Sequence, residues 1–201
     1  MSPQQISFFV QNGYIELEGL SFDPVEIFSA AKMTSVIQPF GRDLWRKNES
    51  LHKLLMRKLS SAIFHLIAKP LRLACDQWIS FQTPDQPCSV NDLFCIQGLV
   101  LSVFFIASEI PPFTRRPAAL GIPPFPRHPK NILFVKPHIV LDWPLLLKSP
   151  ADLYCAAYMF PNHGVYIHNP QDPATHLLKQ FGYAFGDTLA KSHHPLLIYH
   201  G

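Results

Sequence analysis

Proline is distributed unevenly along this chain, and its positions limit the folds that the sequence can adopt. Seven of the twenty prolines lie in residues 108–130. Proline has no backbone N–H and a fixed φ, so it interrupts helices and is excluded from central strands. The proline content therefore argues against a helical bundle and for strands separated by stiff loops. We expect residues 108–130 to form a loop that covers or borders the mouth of a barrel-like fold.

Three stretches near the N-terminus carry helix signals. Ser2–Gln5 has the pattern of a capping box and Asn12-Gly13 supplies a stop, so a first helix is expected between them. Asp23-Pro24-Val25-Glu26 repeats the start signal for a second helix, which should end before Gln38. Apolar residues from Leu51 to Ile67 recur at spacings of three and four. This pattern predicts a third helix with one apolar face packed on a sheet.

After this helix the pattern changes to the alternation that is typical of strands. Residues 93–107 predict either one long strand or two strands with a bend at Gln97-Gly98. Other strands are predicted at Tyr14–Leu17, Leu71–Ile79, Ile132–Lys136, His138–Asp142, Asp152–Phe160, Val165–His168 and Leu196–Tyr199, and a short helix at Asp172–Gly182. A helical first third (1–70) followed by a β-rich remainder (71–201) predicts a single α+β domain over residues 1–201.

Charge, hydropathy and cysteine spacing argue against several classes of protein. The net charge is +3 and the longest arginine run is Arg115-Arg116, which is too little for the basic stripe of a nucleic-acid-binding protein. Residues 93–107, the most apolar run, are too few to cross a bilayer. The cations Lys53, Arg57 and Lys58 indicate a solvated helix face. With no secretory pattern and no CxxC spacing, we expect reduced thiols in a cytoplasmic protein.

Three segments carry a resemblance to a known family. They are Phe8–Leu20 (FFVQNGYIELEGL), Gly41–Arg46 (GRDLWR) and Leu71–Ile79 (LRLACDQWI). Together they resemble the phytanoyl-CoA dioxygenase branch of the Fe(II)/2-oxoglutarate-dependent oxygenases. The resemblance implies a double-stranded β-helix, a cupin-like jelly roll, with the N-terminal helices packed against one sheet. It also implies a metal site built from His-x-Asp and a later His, with an Arg for the cosubstrate.

The residues that the resemblance requires at the metal are largely missing. None of the ten histidines is followed two residues later by Asp or Glu. The place that corresponds to His-x-Asp reads Val90-Asn91-Asp92, so Asp92 keeps the carboxylate position while Val90 stands where the His is due. The second His is expected near Leu141-Asp142-Trp143, and the nearest histidine is His138. We therefore assign no catalytic, metal or cofactor-binding residue.

The cosubstrate position is also unfilled. Arg127 is the last arginine of the chain. Lys136 or Lys148 could supply a positive charge, but lysine lacks the bidentate geometry of arginine. The missing His and Arg indicate that the oxygenase site has been lost.

Two functions follow from this pattern. The leading hypothesis is a non-catalytic protein with the oxygenase fold that binds a small apolar ligand or a protein partner. Phe104, Phe105, Phe113 and Phe125 are candidates for lining the ligand pocket, although core packing explains the first two more simply. The alternative is an active dioxygenase that uses Fe(II) and 2-oxoglutarate at an unorthodox site containing Asp92 and His138. A metal-responsive DNA-binding regulator is the least favoured class, because no recognition helix is visible.

Two other groups of polar residues have structural explanations. His163, His168, Asp172 and His176 have some of the spacing of a metal site, but ordinary surface or loop histidines are favoured. Asp76-Gln77 lies in an alternating strand, where it would either line a residual pocket or join a buried polar network. The network is favoured.

Overall fold

A computed structural model describes residues 1–18, 24–36, 39–79, 88–106, 131–141 and 153–199. The proline-rich segment 108–130, with Phe113, Phe125 and Arg127, lies outside these ranges, as do Asp142, Trp143 and Lys148. Within the described ranges, no helix is long and apolar enough to cross a membrane.

The N-terminal helices begin and end where the capping signals predict. Helix α1 spans Pro3–Asn12, and the Ser2 hydroxyl accepts from the Gln5 N–H while the Gln5 side chain accepts from the Ser2 N–H. Gly13 ends the helix at φ 78°, a left-handed conformation that glycine adopts without steric cost. Helix α2 spans Pro24–Ser35.

The predicted third helix is present but interrupted. It consists of α3 (Glu49–Lys53), a π-helical turn (Leu54–Lys58) and α4 (Ser60–Ile67). Its apolar side chains are buried against the sheet, and the hydroxyl of Tyr158 donates to the carbonyl of Leu55 at 3.2 Å. The predicted packing is confirmed. The π turn was not predicted, because the apolar spacing is compatible with an uninterrupted α-helix.

The strands form one larger and two small antiparallel sheets. They are β1 (Tyr14–Leu17), β2 (Arg72–Ile79), β3 (Cys88–Ser89), β4 (Ile96–Gln97), β5 (Leu99–Ile106), β6 (Ile132–Val135), β7 (Val140–Leu141), β8 (Leu153–Met159) and β9 (Val165–Tyr166). The five-stranded sheet has the order β1-β6-β5-β8-β2, and β3 pairs with β7 and β4 with β9. Residues 93–107 thus contain two strands, bent at Gly98. No closed barrel is formed within the described ranges.

Two predictions for the C-terminal region were wrong. Leu196–Tyr199 is not a strand: it contributes a single bridge, between Leu196 and Arg72, at the outer edge of β2. This segment continues along the edge in an irregular conformation, with hydrogen bonds from Leu197 N to Leu71 O and from Ile198 N to Met56 O. The helix predicted at Asp172–Gly182 is reduced to a 3₁₀ helix, Leu177–Phe181.

The five-stranded sheet separates two apolar cores. On one face, the helix-side core joins the sheet to the helices, and on the other, the interior core lies between the large and small sheets. The sheet residues of the helix-side core include Leu73, Trp78, Leu101, Val103, Phe105, Phe134, Tyr154 and Tyr158. Those of the interior core include Cys75, Phe104, Leu133, Val135, Cys155, Ala157 and Met159. Alternate residues of a strand point to opposite faces, so β5 contributes Phe105 to one core and Phe104 to the other.

Candidate functional site

The resemblance predicts metal ligands near Val90 and Leu141, and the first of these positions is apolar. Val90 opens a 3₁₀ turn, Val90–Asp92, directly after β3. Its side chain is 0% exposed and belongs to the interior core. Leu141, near the expected second His, is likewise 0% exposed and pairs with Cys88. Both side chains pack as hydrocarbon and neither can bind a metal.

Asp92 lies at the surface and has a local partner. Its Oδ2 accepts from the backbone N–H of Ser89 at 2.9 Å and from the Ser89 hydroxyl at 2.7 Å. This carboxylate is one half of a capping box that stabilises the turn. The geometry explains why an aspartate stands here without a histidine beside it.

His138 is exposed on the turn that leads into β7. That turn is adjacent to the Asp92 turn, because the N–H of Asn91 donates to the carbonyl of Pro137 at 3.2 Å. The two candidate residues of the alternative hypothesis are therefore on neighbouring turns. No group of three or more His, Cys, Asp or Glu side chains that could hold a metal occurs in the described part of the chain. These residues do not fit Fe(II), which needs several converging donors.

A buried ion pair occupies part of the interior. Arg42 and Asp172 are 3% and 0% exposed, and Nη2 of Arg42 donates to Oδ1 of Asp172 at 2.9 Å. Nε and Nη2 of Arg42 also donate to Oε1 of Gln77, at 2.9 and 2.6 Å. The guanidinium lies 4.7 Å from the centre of the Phe94 ring. Such extensive pairing is what allows a charge to be buried.

Asp172 also fixes the chain that follows the Asp92 turn. Its Oδ2 accepts from the N–H of Cys95 at 2.8 Å, and its Oδ1 accepts from the N–H of Ala174 at 2.9 Å. Every oxygen of this carboxylate therefore has a protein partner. Asp172 was a candidate in the histidine-rich metal pattern, and the structure gives it a structural role instead.

Three thiols surround this ion pair, and burial disfavours their ionised form. Burial raises the pKa of Cys95 and Cys155 to about 12 and raises the pKa of Cys75 well above its usual value. A thiol must lose its proton to act as a nucleophile or metal ligand. The prediction that these cysteines behave as small buried hydrophobes is consistent with this environment.

Asp76 lies on the other face of β2, under the helices. Its Oδ2 accepts from the N–H of Trp45 at 3.0 Å and from the hydroxyl of Tyr154 in a short hydrogen bond. Burial, and then the nearby charge of Asp43, raise the pKa of Asp76 to about 7. Of the two roles considered for Asp76, the structure shows the buried polar network.

The described histidines of the C-terminal region belong to no group of three or more metal-binding side chains. The rings of His168 and His176 are 5.8 Å apart and both lie against Phe185. His163 is exposed, in edge contact with Phe160. His194 differs from the others because it is 0% exposed, with Nδ1 3.0 Å from the carbonyl of Ala74.

The Arg42–Asp172 pair was not predicted from sequence. Arg42 was noted only as part of the family-like segment Gly41–Arg46, and Asp172 only as a helix start and possible ligand. The two residues are 130 positions apart, so no local spacing links them. The segment Gly41–Arg46 contains three charged residues, and nothing in its sequence indicated that Arg42 is buried.

Comparison with known proteins identifies the fold. No family model matches the sequence, and no curated protein matches it. Among solved structures, the chain is similar to the non-heme α-ketoglutarate-dependent epimerase SnoN from nogalamycin biosynthesis, with a TM-score of 0.70, 16% identity and coverage of 98% of each chain. The α-ketoglutarate-dependent carbocyclase SnoK of the same biosynthesis gives 0.68 and 14%, covering 98% of this chain and 97% of that one.

A third similar structure is EctD from S. alaskensis with 2-oxoglutarate and 5-hydroxyectoine. Its TM-score is 0.57 at 13% identity, covering 84% of this chain and 79% of that chain. At these identities the likeness establishes the fold alone. The predicted α+β cupin fold of the 2-oxoglutarate oxygenases, with its helices on one sheet, is confirmed.

Proposed function

We propose that this chain is a non-catalytic member of the phytanoyl-CoA dioxygenase branch of the Fe(II)/2-oxoglutarate oxygenases. In this proposal it is a cytoplasmic pseudoenzyme that binds another molecule rather than oxidising one. The observation that carries the proposal is that Val90 and Leu141 are fully buried hydrocarbon where the family has metal ligands.

The polar groups near these positions support the same conclusion. Asp92 is used at the surface to cap its own turn. Arg42 directs Nε and Nη2 to Gln77 and Asp172. Oxygenase chemistry needs open metal positions and a cation that can receive the cosubstrate carboxylate. In the described interior, such groups are replaced by apolar packing or are already paired.

Binding at the surface is favoured over binding in the interior. Val90, Phe94, Phe104 and Leu141 are each 0% exposed, so they offer no accessible area to a small apolar ligand. Of the two binding partners considered, a small apolar ligand and a protein, the protein partner therefore agrees better with the described residues.

The proposal is tested by anaerobic calorimetric titration of the whole protein with Fe(II), followed by assay of 2-oxoglutarate conversion to succinate. We expect no stoichiometric Fe(II) binding and no succinate above a protein-free control. Turnover of 2-oxoglutarate that depends on Fe(II) would overturn the proposal in favour of an active dioxygenase.

A matched pair of variants makes this test specific to the alternative site. Asp92→Ala and Asp187→Ala each remove an exposed carboxylate that accepts from a backbone N–H, of Ser89 and of Ala184 respectively. An oxygenase using Asp92 and His138 would lose Fe(II) affinity in the first variant and keep it in the second. We expect instead that both variants lose about 1 kcal/mol of stability from the missing hydrogen bond and behave identically towards Fe(II).

A further inference from the structure

An exposed surface near α4 combines cations with apolar side chains. We name it the basic apolar face. It consists of Arg57, Lys58, Phe64, His65 and Lys69 from the α4 region and Leu196 and Ile198 from the C-terminal segment, all of them exposed or partly exposed. Along this segment Arg57, Lys58, Phe64 and His65 are exposed, whereas Leu59, Ile63 and Leu66 are buried.

Direct contacts make the two segments one continuous surface. The N–H of Ile198 donates to the carbonyl of Met56 at 3.1 Å. The rings of Phe64 and Tyr199 are 4.9 Å apart, and the Tyr199 hydroxyl donates to the carbonyl of Lys69 at 3.3 Å. The apolar residues of the C-terminal segment are thus held beside the cations of the helix by the folded structure.

This face has no acidic residue of its own. Residues 50–75 and 188–201 contain neither Asp nor Glu, although the chain has 14 acidic residues. Arg57 and Lys58 make no ion pair with any residue in the described ranges. Lys53, by contrast, is paired with Glu49 at 2.7 Å. The sequence pattern indicated a solvated helix face, and the fold adds to it a group of unneutralised cations beside exposed hydrocarbon.

The apolar part of the face is substantial. Phe64 and Leu196 are each 44% exposed and Ile198 is 39% exposed. Clustered apolar side chains that remain in water usually mark a site of interaction. A partner for this face must therefore offer negative charge and an apolar phase together.

We propose that the basic apolar face binds the surface of an anionic phospholipid bilayer. The cations contact lipid phosphate and carboxylate groups while Phe64, Leu196 and Ile198 enter the boundary between headgroups and acyl chains. A nucleic acid would satisfy the cations but leave the aliphatic side chains in water. The proposal is independent of the loss of catalysis, because no residue of this face lies in the interior core.

The test is flotation of the whole protein with vesicles. One set is pure phosphatidylcholine and the other contains about one third phosphatidylserine, which gives the surface potential of an anionic leaflet. We expect binding only to the second set, and loss of that binding at about 0.5 M salt, where the screening length falls to a few ångströms. Equal binding to both sets, or none to either, would overturn the proposal.

Matched variants locate the binding on the protein. Arg57→Gln with Lys58→Gln should weaken binding about 25-fold, since each cation contributes about fivefold at an anionic surface. Lys47→Gln with Lys179→Gln removes the same charge outside the face and should have little effect. If both pairs weaken binding equally, net charge and not this face is responsible, and the proposal fails.

The apolar contribution is tested separately. Phe64→Ser should weaken vesicle binding, whereas Val36→Ser, at a residue that is 83% exposed outside the face, should leave it unchanged. Circular dichroism checks that each variant is folded. Tighter binding to double-stranded DNA than to vesicles, lost with the two cations but unaffected by Phe64→Ser, would assign the face to a polyanion and contradict the bilayer proposal.

Discussion

The protonation of Asp76 should make the stability of this protein depend on pH. The carboxyl group is 0% exposed, between β2 and the segment before α3. Its Oδ2 accepts from Trp45 and Tyr154, while Oδ1 has no partner among the described residues. Burial, reinforced by Asp43, raises its pKa from 3.8 to about 7.

The sign of the effect follows from this shift. A raised pKa means that the folded protein holds the Asp76 proton more tightly than the unfolded chain does. The resulting stabilisation is complete below the unfolded pKa of 3.8 and is lost as the pH rises through about 7. Between pH 5 and pH 8 the loss amounts to about 2.5 kcal/mol, at 1.36 kcal/mol for each pKa unit.

Urea unfolding of wild type and Asp76→Asn at pH 5, 6, 7 and 8 measures this pH-dependent contribution to stability. Asparagine keeps an oxygen acceptor for Trp45 and Tyr154 and does not ionise. We expect the stability of wild type relative to Asp76→Asn to fall by about 2.5 kcal/mol from pH 5 to pH 8. As a control at an exposed position, Asp187→Asn should show the same change of stability with pH as wild type. The reasoning would be refuted if the stability of wild type relative to Asp76→Asn stayed constant from pH 5 to pH 8 or increased.

Three further predictions concern stability, and urea unfolding measures each. Gly98 has φ +88°, and a Cβ added there would overlap a backbone carbonyl, so Gly98→Ala should lower the free energy of unfolding by more than about 2 kcal/mol. Gly186 has φ +97° and nothing near its Cβ position, so Gly186→Ala should lower it by about 1 kcal/mol. Arg42→Met should cost about 3–5 kcal/mol by leaving the Asp172 charge unpaired, and adding Asp172→Asn should recover part of that loss. Burial lowers the pKa of His194 to about 4, so wild type should lose about 2.5 kcal/mol relative to His194→Gln as the pH falls from 6.5 to 4. The Arg42 argument fails if adding Asp172→Asn recovers none of the stability that Arg42→Met loses. The His194 argument fails if the difference in stability between wild type and His194→Gln does not change with pH.

Local signals in the sequence predicted several of the elements correctly. The Ser2–Gln5 capping box and the Gly13 stop fix the ends of α1 within a few residues, and both act through bonds inside the helix. The bend at Gly98 follows from the ability of glycine to adopt positive φ. Predictions that depend on neighbours in the fold were less accurate. Leu196–Tyr199 has the composition of a strand, but it meets the sheet at only one bridge and continues as an irregular edge.

The candidate site was predictable only in part. The absence of a His-x-Asp was visible in the sequence, and the apolar environment of Val90 agrees with it. The pairing of Arg42 with Asp172 depends on two segments far apart in the chain. The role of Asp92 was also hidden, because the capping box with Ser89 uses the same residue type that a metal site would use.

The positions of the family-like segments explain why the resemblance indicates a fold more clearly than an activity. Gly41–Arg46 and Leu71–Ile79 meet at Asp76, where backbone and side-chain hydrogen bonds tie the helices to the five-stranded sheet. The interior core lies on the opposite side of the five-stranded sheet from these contacts. Val90 is in a 3₁₀ turn and Leu141 is in β7 of a small sheet, and both belong to the interior core, so substitutions there do not alter the helix-side contacts. The contacts that specify the fold are therefore separate from the positions where the resemblance expects metal ligands.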